Sequence, residues 1–235
     1  MFNPAPVVQR IALGDAAVCI IDDALQDPAR WVELARRHAG SFMEAPDNAY
    51  PGIELPMPES IVAQCLAFFD RHLRGEFGLL RTLHGHAKLA LATHPEERLR
   101  PFQVIPHVDS QRVETGQAAM ASVLYLFEDE ALGGTSFYRP RVDAERLAGL
   151  FKDAARLQAE SFCALHGLPR AYPAASNAWF EHVLAVPARW NRLIVYPGTV
   201  FHSSRLPAPA KLHADPGIGR LTLNGFFSCE RAPAG

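Results

Sequence analysis

His107-Val108-Asp109 follows an apolar run, Phe102-Gln103-Val104-Ile105-Pro106. On a strand, residues i and i+2 point to the same face, so this spacing aims an imidazole and a carboxylate at one point. Such a pair can share one metal ion. A second imidazole, His202, follows an apolar run, Leu193-Ile194-Val195-Tyr196, and a Pro197-Gly198 turn. Farther on, alternation over residues 219–227 puts Arg220, Thr222 and Asn224 on one face and Leu221 and Leu223 on the other. An arginine turned inward on a core strand is costly unless an anion meets it. A carboxylate ligand supplies that anion through a bidentate pair. Two imidazoles and one carboxylate on one face of a metal leave three positions open for reacting ligands.

These groups need elements to carry them. A short apolar strand is expected at residues 17–22, then a helix over 23–39 with Asp27 as N-cap and Pro28 at its first position. Residues 43–58 read as a loop, with Tyr50-Pro51-Gly52 as a turn. A second amphipathic helix spans 61–74. From residue 83 the pattern becomes short strands, at 83–93, 102–107, 119–127, 135–138, 193–196 and 220–227, interrupted by a helical stretch over 142–167. The expected fold class is α+β with a mainly β core, one domain over 1–235. Residues 1–82 form its N-terminal helical support, 83–230 its core, and 142–188 an insert.

The order His107-x-Asp109, His202, Arg220-x-Thr222 resembles the Fe(II)/2-oxoglutarate-dependent dioxygenase superfamily, nearest its prolyl-hydroxylase-like branch. Leu124-Tyr125-Leu126-Phe127, followed by Gly133-Gly134-Thr135-Ser136-Phe137-Tyr138, is similar to that branch's strand and Gly-Gly turn. The resemblance runs from about residue 102 to 227. It implies a double-stranded β-helix, or jelly roll, with Fe(II) held by His107, Asp109 and His202 as the catalytic centre. Arg220 would then pair with the distal carboxylate of 2-oxoglutarate, supported by Thr222. Tyr125 would reach the same co-substrate, and Asn224 and Gln103 would line the pocket. It further implies O2 as co-substrate and a hydroxylated C–H bond in an amino acid, peptide or small molecule. Asp109 keeps the carboxylate that halogenases of the superfamily lack. The stretch between His202 and Arg220 is longer than usual in the branch, so residues 203–219 form either a lid or a sign that Arg205 is the carboxylate partner. The insert is expected to cover or recognise the substrate. The alternatives are a cupin-like metal enzyme that does not use 2-oxoglutarate and a non-catalytic jelly-roll binding module.

Composition restricts the partners. With 23 basic and 25 acidic residues the net charge is −2, which removes the electrostatic basis for nucleic-acid binding. No apolar run approaches the ~20 residues a membrane span needs. No signal peptide is visible, and the four dispersed cysteines fit free thiols in a reducing cytoplasm. A homodimer through the N-terminal helices is an open expectation. Of the ten histidines, only His107 and His202 are assigned to chemistry. The His84-Gly85-His86 pair reads as structural, Phe226-Phe227 as core, and Arg139 and Arg141 as a solvated turn or a rim for an acidic group. His182 and Trp179 are candidates to reach the mouth of the barrel.

Overall fold

In a computed structural model, residues 1–44, 50–110 and 113–231 are described. The chain runs β1 (Gln9–Leu13), β2 (Ala16–Ile21), α1 (Ala29–Arg37), β3 (Gly52–Pro56), α2 (Glu59–His72), β4 (Leu79–Ala92), β5 (Gln117–Tyr125) and β6 (Thr135–Pro140). Then come α3 (Ala144–Ala154), α4 (Ala159–His166), β7 (Phe180–Val186), β8 (Leu193–Pro197), β9 (Phe201–Ser204) and β10 (Arg220–Arg231). A seven-stranded sheet has the order β1-β2-β8-β5-β10-β4-β3, and a three-stranded sheet the order β7-β6-β9. Their strand pairings are antiparallel. The mainly β architecture with a few helices is thus as the sequence pattern indicates. No helix of the described residues is long and apolar enough to cross a membrane.

Each strand of the large sheet sorts its residues by parity. On β4 and β10, Leu89, Leu91, Leu221, Leu223, Phe227 and Cys229 face α1 and α2 and form the main core. Phe69 of α2 stacks on Phe227 at 4.5 Å. The apolar faces of both helices are therefore engaged within the chain. The opposite parity of β10 carries Arg220, Thr222, Asn224 and Phe226. Asn224 sits opposite Lys88 of β4 and Val123 of β5, and Thr222 opposite Ala90 and Tyr125.

Three expectations need correction. Residues 102–107 are not a strand: Pro101–Gln103 make a 3-10 turn and the following residues are irregular up to an isolated bridge at His107. Two prolines, at 101 and 106, remove ladder donors on either side of the apolar run. The first helix begins only at Ala29, because Asp23 adopts φ 53° and Pro28 then starts the turn, with the Asp27 carboxylate accepting from Arg30 N at 3.2 Å. Strands β1, β3, β7 and β9 were not expected. All four are edge strands, where short length, Pro56 and partly exposed residues are tolerated. Residues 1–82 accordingly supply three strands as well as two helices. The turn expected at Tyr50-Pro51-Gly52 is present, Gly52 N donating to Tyr50 O at 3.1 Å, while residues 45–49 of the same loop lie outside the described residues. All four cysteines are buried free thiols, and burial pushes Cys65 up to about 12.

The start of β8 is tied to the end of β2 by adjacent residues. Asn191 clips Leu25 through both its amide oxygen and nitrogen, each at 2.9 Å. Arg192, 9% exposed in its side chain, grips Asp22 bidentately at 2.6 and 2.9 Å. That hydrogen-bonded guanidinium holds the Asp22 carboxyl below its ordinary value of 3.8. The pair's stabilisation is present above that value and is lost as pH falls through the lowered folded value. Asp22→Asn is expected to cost about 1–2 kcal/mol at neutral pH, less than a fully buried pair because Asp22 is over a third exposed. In urea melts the difference from the unmodified chain should shrink below about pH 4; a constant difference down to acid would disprove the ionic origin.

Candidate metal centre

The two histidines are placed by the backbone. His107 N donates to His202 O and His202 N to His107 O, both at 2.9 Å, a reciprocal antiparallel pair between residues far apart in the chain. Their rings stand 4.4 Å apart at 55°. Asp109 is set by its own N–H, which donates to Gly198 O at 2.8 Å in the Pro-Gly turn before β9. The sequence reading reached this face-sharing through a strand that does not exist; the bridge to His202 and the bond to Gly198 produce it instead.

One ligand atom from each of His107, Asp109 and His202 lies within 4.8 Å of the others. Asp109 is 3.4 Å from His202 Nε2 and 3.9 Å from His107 Nε2. Although its backbone is exposed, the Asp109 carboxylate is only 16% exposed. Burial raises its pKa, and no lysine or arginine pairs with it among the described residues. Burial, reinforced by His202 and Lys88, pushes His107 well below its usual range, so its ring is neutral. The Val200 carbonyl, 2.9 Å from His202 Nδ1, can only accept, so Nδ1 carries a proton and Nε2 is the ring nitrogen that faces Asp109. Two imidazoles and a buried carboxylate with no paired lysine or arginine among the described residues fit a divalent metal ion.

Arg220 is the largest fully buried side chain, 1% exposed. Its Nε donates to Leu132 O at 3.1 Å and its Nη2 to Gly134 O at 2.9 Å. The guanidinium carbon lies 5.9 Å from the Tyr125 ring and 5.6 Å from that of Phe127. No carboxylate pairs with it among the described residues. The cation is thus anchored on one side by carbonyls while lining a cavity of about 430 Å³ together with His107, Asp109, His202, Thr222 and Asn224. A buried guanidinium that faces a cavity with no carboxylate paired to it is suited to an anion. Arg205, the rival, is exposed and away from the cavity.

Several expected residues land elsewhere. Tyr125 does not border the cavity: its hydroxyl bonds Thr135 Oγ1 at 2.8 Å, and Thr135 makes the wall. Sequence reasoning missed Tyr50, whose phenol lies against Arg220 and Thr222 and whose pKa burial raises. Its Pro-Gly neighbours give only a turn signal. Gln103 supports it from behind, donating to Tyr50 O at 3.1 Å. His84, His86 and Phe226, read as structural or core, line the cavity, because β4 and β10 turn that parity inward. Trp179 donates to His166 O, His182 meets Ser136, and Arg139 pairs with Glu181 at the surface; none lines the cavity. Nor does any residue of 142–188 or 205–219. The insert packs Leu150, Phe162 and Phe180 against Leu99, Val104 and Ile105, and Arg170 and Tyr172 bond Leu99 O and His94 O. It buttresses the segment leading to His107. Residues 205–219 cross the Gly-Gly turn, where Arg205 N donates to Gly134 O.

That turn is specific in its needs. Gly133 has φ +75°, and a Cβ there would overlap the Arg205 carbonyl; one on Gly134 would overlap the Val186 carbonyl. Gly149, inside α3, faces open space. Gly133→Ala should therefore cost about 1–3 kcal/mol, whereas Gly149→Ala should gain up to about 1 kcal/mol. Equal effects in urea melts would refute the crowding at the turn.

Comparison with curated proteins gives no match. Among solved structures, the chain is similar to SnoN, the non-heme alpha ketoglutarate dependent epimerase from nogalamycin biosynthesis. Identity is 12% over 91% of this chain and 80% of that one, with a TM-score of 0.47. SnoN is also known in complex with Fe3+, alpha ketoglutarate and nogalamycin RO. EvdO2 from Micromonospora carbonacea var. aurantiaca is 14% identical over 98% and 96% of the two chains, TM-score 0.45, and has been crystallised with 2-oxoglutarate. A prolyl hydroxylase from Trichoplax adhaerens, bound to a hypoxia inducible factor peptide fragment, is 9% identical over 89% and 82%, TM-score 0.45. These are distant likenesses of chain trace, and the reading of the site rests on its own geometry. A family description matches residues 3–227, so the chain belongs to the family of unknown function DUF6445.

Proposed function

We propose that the protein is an Fe(II)- and 2-oxoglutarate-dependent oxygenase that hydroxylates a C–H bond, built on a single double-stranded β-helix domain. The observation that carries this reading is the fully buried Arg220, without an acidic partner among the described residues, in the same cavity as the His107–Asp109–His202 group. A metal site alone would suit many chemistries. A buried guanidinium beside it calls for a ligand with a carboxylate at one end and a chelating group at the other, which is what a 2-oxo diacid offers.

In this reading His107, Asp109 and His202 hold the iron. With iron, 2-oxoglutarate and O2 bound, the site supplies a two-electron oxidation, one oxygen atom entering the substrate as hydroxyl and the other the succinate, with release of CO2. The chain's own residues do the rest. Arg220 and Thr222 bind the distal carboxylate, and the Tyr50 phenol beside them completes that end. The Leu132 and Gly134 carbonyls orient the guanidinium, and the rings of Tyr125 and Phe127 keep water from it. Val200 fixes the His202 tautomer. Enclosure strengthens each of these contacts.

Anaerobic addition of Fe(II) and 2-oxoglutarate should produce a weak visible charge-transfer band. His107→Ala and Asp109→Ala should abolish it. Arg220→Ala should leave Fe(II) binding intact and weaken 2-oxoglutarate about 100-fold, roughly 3 kcal/mol. No band in the unmodified protein would overturn the assignment. Full 2-oxoglutarate affinity in Arg220→Ala would instead favour a metal enzyme that works without the 2-oxo acid.

A further inference from the structure

The cavity holds groups that neither the metal site nor the Arg220 end uses. On β4, Lys88 and His86 face inward, and Glu54 comes from the neighbouring edge strand β3. Across from Lys88 on β10 stands Asn224, 7% exposed, whose Oδ1 has no hydrogen-bond partner. Buried amide oxygens are rarely left so. This one points to a ligand that brings an N–H or O–H donor.

The charges beside it narrow the class. Lys88 Nζ is 2.6 Å from Glu54 Oε1, so this wall carries one cation and one anion facing the same space. A purely anionic ligand would meet Glu54, and a purely cationic one would meet Lys88. A ligand with both charges opposes each to its partner. Lys88 also lies under electrostatic influence of Asp109, as does His86, so the wall adjoins the metal group. Phe226 forms its floor, with the His86 ring stacked at 4.8 Å and Lys88 Nζ 5.3 Å from the ring centre.

We propose that this wall is the primary-substrate subsite and that it takes a free α-amino acid as its zwitterion. The carboxylate meets Lys88, and the ammonium donates to Asn224 Oδ1 in a cavity that Glu54 also lines. A side chain presented by a folded protein carries neither end group, so it offers no carboxylate to Lys88 and no ammonium to Asn224 Oδ1. The proposal rests on the oxygenase reading for what happens to the amino acid, but its binding step does not.

Calorimetric titration of the Fe(II)-loaded, oxygen-free protein with each of the twenty L-amino acids tests it, with and without 2-oxoglutarate. At least one should bind, and its carboxamide and N-acetyl derivatives should each bind at least about tenfold more weakly. Asn224→Ala should erase the preference over the N-acetyl form. The double variant Lys88→Met/Glu54→Gln, which leaves no buried charge unpaired, should erase the preference over the carboxamide. Absence of binding by every free amino acid, tighter binding of either derivative, or variants that weaken all three forms equally would overturn the proposal. A charge-transfer band without amino-acid binding keeps the oxygenase and rejects this subsite. Amino-acid binding without the band does the reverse.

Discussion

The reciprocal backbone pair between His107 and His202 is what the site depends on. Two hydrogen bonds of 2.9 Å join a segment that follows a 3-10 turn to the first strand after a Pro-Gly turn. Each imidazole is then a neighbour of the other, and Gly198 adds Asp109 from the same turn. Backbone bonds are suited to this because they hold ligand side chains at fixed offsets without using the side chains themselves. Much of the molecule serves that pair. The helices α3 and α4 bury their apolar faces against Leu99, Val104 and Ile105, which stiffens an irregular stretch that no ladder supports.

Arg220 is the second costly feature, and the fold handles it with carbonyls rather than acids. A carboxylate partner would neutralise the charge and remove the anion site. Two main-chain carbonyls orient the guanidinium and leave its charge in place. The Gly-Gly turn that supplies one of them packs so closely that a Cβ on Gly133 would overlap the Arg205 carbonyl and one on Gly134 the Val186 carbonyl. The loop 205–219 lies across this turn and lines none of the cavity.

The inner wall of β4 and β10 shows how parity distributes roles. One face of these strands packs against α1 and α2; the other carries Arg220, Thr222, Asn224 and Phe226 beside Lys88, His86 and His84. The alternation in residues 219–227 predicts which members of β10 face inward. It says nothing of their partners, because β4 is paired from more than a hundred residues away. His84 and His86 therefore look like ordinary strand histidines until the register is known.

What the sequence by itself determined is local: the helix α2 and a helical stretch that the structure divides into α3 and α4 from their apolar spacing, the central strands from alternation, and the inward Arg220 from period two. The grouping of His107, Asp109 and His202 was legible through residue type and order, although the strand invoked for the first two is absent, since prolines 101 and 106 prevent it. Tertiary structure decided the rest. Edge strands β1, β3, β7 and β9 are short and carry no continuous apolar stripe of buried residues, and their pairing depends on neighbours. Tyr50 reaches Arg220 only because the edge strand that follows it lies beside β4. Tyr125 turned out to stand behind Thr135, and the insert to be a buttress. Local periodicity reports which face of an element is buried; what that face meets is set by contacts between distant segments, which no local pattern encodes.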